Sequence, residues 1–229
     1  MSIELITFDL DDTLWDCDSV IARAEAKLIE WLHQKMPAVM ERHDEQSLVA
    51  HRRDFALANP DISFDLTLLR KRWLADIASE FHYPPEQSEE GFLIFLKARN
   101  DVVLYPGVPE TLCHLGRRFR LGAITNGNAD VHYIGIGRLF DYVVTAADAK
   151  AAKPAPAIFH LAAAKSGSTL ENTLHVGDDP ARDVLGANAL GMRTAWINPA
   201  STPWPGGQVP DLVLTDVTQL PERIEELLA

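Results

Sequence analysis

A chain of 229 residues with a formal net charge of −12 and a pI near 5.0 can bury a substantial core, and its charge excludes bulk attraction to nucleic acid or to an anionic membrane surface. Hydrophobic residues make up 47% and charged residues 24%, which excludes a disordered chain and places the protein among ordinary globular sequences. Two cysteines, Cys17 and Cys113, stand in no CxxC arrangement and are expected to be reduced packing residues. No apolar run approaches transmembrane length and no basic stretch leads into an apolar one at the start, so the expected location is the cytoplasm.

The first predicted element is a buried strand, "IELITF" (3–8), followed at once by "DLDDT" (9–13). If the backbone stays extended, Asp9 and Asp11 leave on the same side while Leu10 and Asp12 point away. Two carboxylates facing one small volume repel each other. A divalent cation relieves that repulsion, and oxygen-only ligands favour Mg²⁺. Asp12 and Thr13 are expected to turn and fasten the loop or to cap a helix.

From 16 to 103 long amphipathic patterns replace the strands, among them "SVIARAEAKLIEWLHQKM" and "DLTLLRKRWLADIASEF". This stretch is expected to be a helical domain. "LYPGVPE" (104–110) marks the return to a different pattern. Strands are then expected at "RLGAIT" (120–125), "YVVTA" (142–146), "TLHVG" (173–177), "RTAWIN" (193–198) and "DLVLTD" (211–216), with helices at 108–119, 156–167 and 180–192 between them. The alternation predicts an α/β core, residues 1–15 and 104–229, built on a parallel sheet covered on both faces, with 16–103 inserted after its first strand.

Ligands of open α/β sheets bind at the carboxyl ends of the strands. Asp9 and Asp11, Thr125 and Asn126, Lys153, and Asp178 and Asp179 all fall at or beside such ends. A carboxylate there can attack phosphorus, with Asp9 as nucleophile and Asp11 moving protons. Thr125, Lys153 and loop N–H groups then surround the transferring phosphoryl, and Asp178 is a further metal ligand. His175 is expected to be a satisfied core histidine. Trp15 and Arg70 are candidate substrate contacts, each weighed against packing or a solvated helix face.

"FDLDDTL", "AITNGN", "AKP" and "HVGDDPARD", in this order, resemble the four motifs of the haloacid dehalogenase superfamily, most of whose members are phosphatases. The resemblance implies a HAD-like Rossmannoid parallel-sheet core with an inserted all-helical cap domain that closes over the site. It also implies Asp9 as nucleophile, Asp11 as general acid/base, and Thr125, Asn126 and Lys153 around the phosphate. Mg²⁺ would be held by Asp9, the backbone carbonyl of Asp11 and Asp178, with Asp179 and Asp183 behind them. Within the superfamily the motifs look most like those of bacterial flavin-pathway phosphatases, which act on 5-amino-6-(5-phospho-D-ribitylamino)uracil and can also hydrolyse FMN. The expected activity is hydrolysis of a small phosphate ester through an aspartyl-phosphate, by a monomer or dimer without nucleic-acid or membrane partners. A 2-haloacid dehalogenase, a phosphomutase and a receiver-like phospho-switch are the alternatives, and Asp11 argues against the first because expulsion of halide needs no acid there.

Overall fold

The computed structural model describes residues 2–228. Six strands form one parallel sheet: β1 (Leu5–Phe8), β2 (Arg120–Thr125), β3 (Tyr142–Thr145), β4 (Thr173–Gly177), β5 (Arg193–Ile197) and β6 (Leu212–Leu214), in the order β3-β2-β1-β4-β5-β6. Every residue of β1 and β4 is buried, as parallel strands covered on both faces require. The chain steps outward from β1 to β2 and β3, then returns to β1's other side for β4. The strand order therefore reverses between β1 and β4, where such sheets open a crevice. Phe8 is level with Ala123 of β2 and Val176 of β4, so the residues that follow β1 and β4 emerge side by side at one edge.

The chain divides into two compact units, residues 1–16 with 103–229, and residues 17–102. The second is wholly helical: α1 (Cys17–Lys35), α2 (Pro37–Arg42), α3 (Glu45–Ala58), α4 (Leu66–Glu80) and α5 (Pro85–Arg99), with one 3₁₀ turn at Pro60–Ile62. It has its own core, in which Leu28, Trp31 and Leu32 of α1 meet Trp73 and Ile77 of α4 and Phe92 and Phe95 of α5. Gly91 of α5 lets the Trp31 ring come so near that a Cβ there would lie 2.7 Å from it. No described helix is long and apolar enough to cross a membrane.

Helices α6 (Val108–Leu115), α7 (Val131–Ile134), α8 (Ala146–Ala149) and α9 (Pro156–Ser166) belong to the sheet unit. Helix α6 buries Val108, Thr111, Leu112 and Leu115, one stripe at helical spacing, and Pro109 pre-sets its first turn. Pro156 likewise opens α9, and Gly167, left-handed, closes it. The single helix expected over 180–192 is instead a π-turn at Pro180–Leu185 leading into the short α10 (Gly186–Asn188); α11 (Leu220–Arg223) follows β6. The cause is visible at Asp179, whose carbonyl accepts from both Asp183 N (2.9 Å) and Val184 N (3.4 Å), widening the turn. Where the chain leaves and re-enters the sheet unit, Trp15 and Leu104 form an antiparallel bridge, and Tyr105 N donates to Leu14 O at 2.9 Å.

Candidate active site

The loop after β1 is wound tightly. Asp9 N still donates to Val176 O (2.8 Å), continuing the sheet, but Asp12 takes a left-handed backbone (φ 60°) and Asp12 N donates to Trp15 O (2.8 Å). Asp12 thus turns the loop rather than capping α1, which begins only at Cys17. Thr13 Oγ1 lies 3.4 Å from Asp178 Oδ1, across the strand reversal. Trp15, a candidate for stacking on a substrate ring, is 0% exposed and has no face to offer. Its indole Nε1 instead donates to Asp11 Oδ1 at 2.9 Å, so it fixes the direction of that carboxylate.

Lys153 is the cation at the centre. Its ammonium has three hydrogens, and they face Asp9 Oδ1 (2.5 Å), Asp183 Oδ1 (2.7 Å) and Ile124 O (2.8 Å). Burial alone would lower its pKa, but the Asp183 and Asp9 carboxylates reverse that and hold the ammonium charged. The Lys153 backbone is clasped by Asn126, whose Oδ1 accepts from Lys153 N (2.7 Å) and whose Nδ2 donates to Lys153 O (3.0 Å). Asn126, expected at the phosphate, has its side-chain amide committed to this clasp; what it delivers is the position of Lys153. Thr125, at the end of β2, accepts from Gly127 N (2.9 Å) through Oγ1 and so keeps its own hydroxyl proton to donate.

Asp9, Asp178 and Asp183 bring one carboxylate oxygen each within 4.8 Å of one another. Burial pushes Asp9 well above the carboxylate range, against the pull of Lys153. Burial also pushes Asp178 up to about 7, helped by the charges of Asp183 and Asp12. For Asp183 burial acts upward too, yet Lys153 and the His175 hydrogen bond overcome it and hold this carboxyl below the usual range. The site thus carries more carboxylate than its one ammonium balances, with oxygen donors only. That donor set suits a hard divalent cation such as Mg²⁺.

Of the two acids expected behind the metal, Asp179 caps the π-turn, its Oδ1 accepting from Ala181 N and Arg182 N at 2.8 Å each. Asp183 reaches inward instead. Its Oδ2 accepts from Asp179 N (3.0 Å), and a Cβ at Gly177 would collide with its carboxyl group, so β4 must end in glycine there. A glycine closing an apolar strand just before an acidic pair was a readable signal of this close approach. Nothing in the sequence pointed to Trp196, whose Nε1 donates to Asp178 O at 2.7 Å and pins that loop from β5. His175 is buried as expected. Its Nδ1 is 2.9 Å from Thr7 Oγ1, its Nε2 is 3.2 Å from Asp183 Oδ1, and Phe159 packs edge-on against its ring. Burial lowers its pKa and keeps the imidazole neutral.

Arg70 lies in the helical unit, where its guanidinium stacks 3.5 Å over the Phe95 ring and Nη2 donates to Glu25 Oε1 at 2.7 Å. Burial lowers its pKa, and the Glu25 pair resists that. This arginine, a candidate substrate contact weighed against a solvated helix face, is instead committed to packing and to Glu25. Glu25 also pairs with Arg52 at 2.5 Å.

A buried carboxylate at a central strand end, a buried lysine and an acidic trio define a class of hydrolase. The chain matches the family model "haloacid dehalogenase-like hydrolase" over residues 3–191, and it belongs to that family. It is 32% identical over 230 residues to the 5-amino-6-(5-phospho-D-ribitylamino)uracil phosphatase YigB of Escherichia coli, covering 97% of this chain and 96% of that protein. It is also 29% identical over 157 residues to the phosphoserine phosphatase of Thermus thermophilus, covering 66% of this chain and 63% of that one. Among solved structures, one described as a 2-haloacid dehalogenase from Pseudomonas syringae pv. Tomato shares 35% identity at a TM-score of 0.93, covering 98% of this chain and 99% of that one.

Proposed function

We propose that this phosphatase hydrolyses a small phosphomonoester in the cytoplasm, with Mg²⁺, through an aspartyl-phosphate on Asp9. The observation that carries the proposal is the contact of Lys153 with both Asp9 and Asp183, set within the acidic trio at the strand reversal. Asp9 Oδ attacks phosphorus as the ester P–O bond breaks, and the Asp11 carboxyl gives its proton to the departing alkoxide. Asp11, now a carboxylate, takes a proton from water, which attacks the phosphorus of the aspartyl-phosphate. The P–O bond to Asp9 breaks, releasing inorganic phosphate and restoring the carboxylate. Trp15 keeps Asp11 aimed during both transfers, Thr125 donates its hydroxyl proton to the phosphoryl oxygens, and Lys153 holds Asp9 in place and balances its charge. Asp9, Asp178 and the Asp11 carbonyl would hold Mg²⁺, whose positive charge would keep the two carboxylates ionised and offset that of the phosphoryl group.

The likeness to YigB supports 5-amino-6-(5-phospho-D-ribitylamino)uracil as substrate, and the motif resemblance adds FMN as a second candidate. The likeness to a structure described as a dehalogenase favours a second reading, displacement of halide from a 2-haloacid by the same Asp9. That reaction uses neither a protonated acid at Asp11 nor a cation among Asp9, Asp178 and Asp183. The deciding assay offers p-nitrophenyl phosphate, FMN and the ribitylaminouracil phosphate with Mg²⁺, and in parallel 2-chloropropionate. Phosphate release that stops in excess EDTA is expected, with kcat/KM ranking the esters. Chloride release without phosphate release would replace the proposal by the second reading.

The titration of Asp178 makes metal binding pH-dependent. Its carboxyl in the fold titrates at about 7 against an ordinary 3.8, so between these values the metal-free fold keeps a proton the unfolded chain has lost. The stability this group contributes to the metal-free protein therefore declines as pH rises across that window. Mg²⁺ displaces the proton, so the rise in Tm on adding Mg²⁺ is expected to be larger at pH 8 than at pH 6. Equal Mg²⁺-induced shifts at the two pH values in a thermal melt would contradict it.

A further inference from the structure

We infer that Thr7 and His175, outside the residues that meet substrate, position Asp183 and through it Lys153. The inference rests on the proposed phosphatase reading. The four groups form one buried chain: Thr7 Oγ1 to His175 Nδ1 (2.9 Å), His175 Nε2 to Asp183 Oδ1 (3.2 Å), and Asp183 Oδ1 to Lys153 Nζ (2.7 Å). Thr7 is 0%, His175 1%, Asp183 2% and Lys153 4% exposed, so water replaces none of these contacts. The direction of the hydrogen bonds follows from the ends. A carboxylate only accepts, so Nε2 carries the imidazole hydrogen; the neutral ring then accepts at Nδ1, and the one Thr7 hydroxyl hydrogen goes there at 2.9 Å rather than to Leu174 O at 3.5 Å.

Thr7 and His175 are partners in register on β1 and β4, the strands that flank the reversal. Their pairing therefore fixes the ring relative to the sheet itself rather than to a loop. Phe159 packs edge-on against the ring, and the absence of a Cβ at Gly177 leaves room for the Asp183 carboxyl. The result is that Asp183 Oδ1 has one permitted place, and Lys153, shared between Asp183 and Asp9, is drawn to the nucleophile from a fixed point. Partners of this kind behind a ligand shell cost roughly 10–100-fold in activity when removed.

The test compares Thr7→Val, which keeps the shape and loses the hydroxyl, with Thr7→Ser, which restores it. With p-nitrophenyl phosphate and saturating Mg²⁺, Thr7→Val is expected to lower kcat about ten-fold with KM within about two-fold, while Thr7→Ser returns most of the rate. Imidazole ¹⁵N NMR reads the same point without turnover: His175 should show the Nε2–H form in both proteins, with the unprotonated Nδ1 resonance moving downfield in Thr7→Val as it loses the Thr7 hydrogen bond. If Thr7→Val does not fold, His175→Gln, which retains a donor toward Asp183 but not the link to Thr7, is expected to fall between wild type and His175→Phe in kcat. Wild-type kcat in Thr7→Val, or an unchanged ¹⁵N pattern, overturns the inference. An inactive wild type overturns the phosphatase reading instead and leaves the NMR comparison to decide this one.

Discussion

Asp9→Asn is expected to reduce phosphate release by about 10⁴-fold or more, because an amide cannot attack phosphorus and no neighbour can take its place. The fold should survive. Asparagine occupies the same space, Lys153 keeps Asp183 and Ile124 O as partners, and the change removes a carboxylate that burial already disfavours as an anion. Circular dichroism and Tm should therefore match the wild type closely while turnover of p-nitrophenyl phosphate disappears. A well-folded Asp9→Asn protein with activity within ten-fold of wild type would exclude Asp9 as nucleophile. Loss of phosphorylated enzyme in a rapid-quench experiment with ³²P-labelled substrate would accompany the expected result.

The second large effect belongs to Lys153→Ala, and it falls on stability as well as rate. Removing one partner of a buried ionic pair leaves the other desolvated and uncompensated, typically at about 3–5 kcal/mol. Here two carboxylates lose the ammonium at once, and Ile124 O loses a donor. What reverses sign with the mutation is the contribution of Asp183, which in the wild type changes only below its ordinary 3.8 and is flat between pH 5.5 and 8. In the wild type Asp183 is held below its ordinary pKa, so it contributes stability above that value which is lost as pH falls through the depressed one. Without Lys153, only the His175 hydrogen bond still opposes burial at Asp183, so its pKa rises and the variant should lose less stability relative to the wild type at pH 5.5 than at pH 8. Urea unfolding at pH 8 and pH 5.5 measures both points. A destabilisation below about 1 kcal/mol at pH 8 would mean that Lys153 is not what balances the trio.

Much of the fold could be read from the chain because parallel strands are nearly continuous apolar runs, and "LITF" and "TLHVG" are buried at every position. The π-turn was not readable, since its extra residue per turn comes from two amides sharing the Asp179 carbonyl, and no local pattern encodes that. Helix α3 falls within the stretch read as helical, although it buries only Leu48 and so carries almost no apolar stripe of its own. At the site, spacing and strand ends were enough to bring Asp9, Lys153 and Asp178 forward together. Side-chain commitments were not. Asn126 and Trp15 look from sequence like groups free to touch a ligand, and only their partners, the Lys153 backbone and the Asp11 carboxylate, reveal otherwise. His175 was legible as satisfied; that its two partners link β1 to Asp183 depends on strand order.

The bridge between Trp15 and Leu104 bears on how such a protein can change. Residues facing each other in an antiparallel bridge lie only about 5 Å apart at Cα, so the points where the chain departs and resumes are neighbours. Everything between them can be lengthened, shortened or exchanged for another module without shifting the register of a single strand. A lineage can thus exchange the helical unit by grafting at one seam, and an engineer can do the same with two splice points and a short linker.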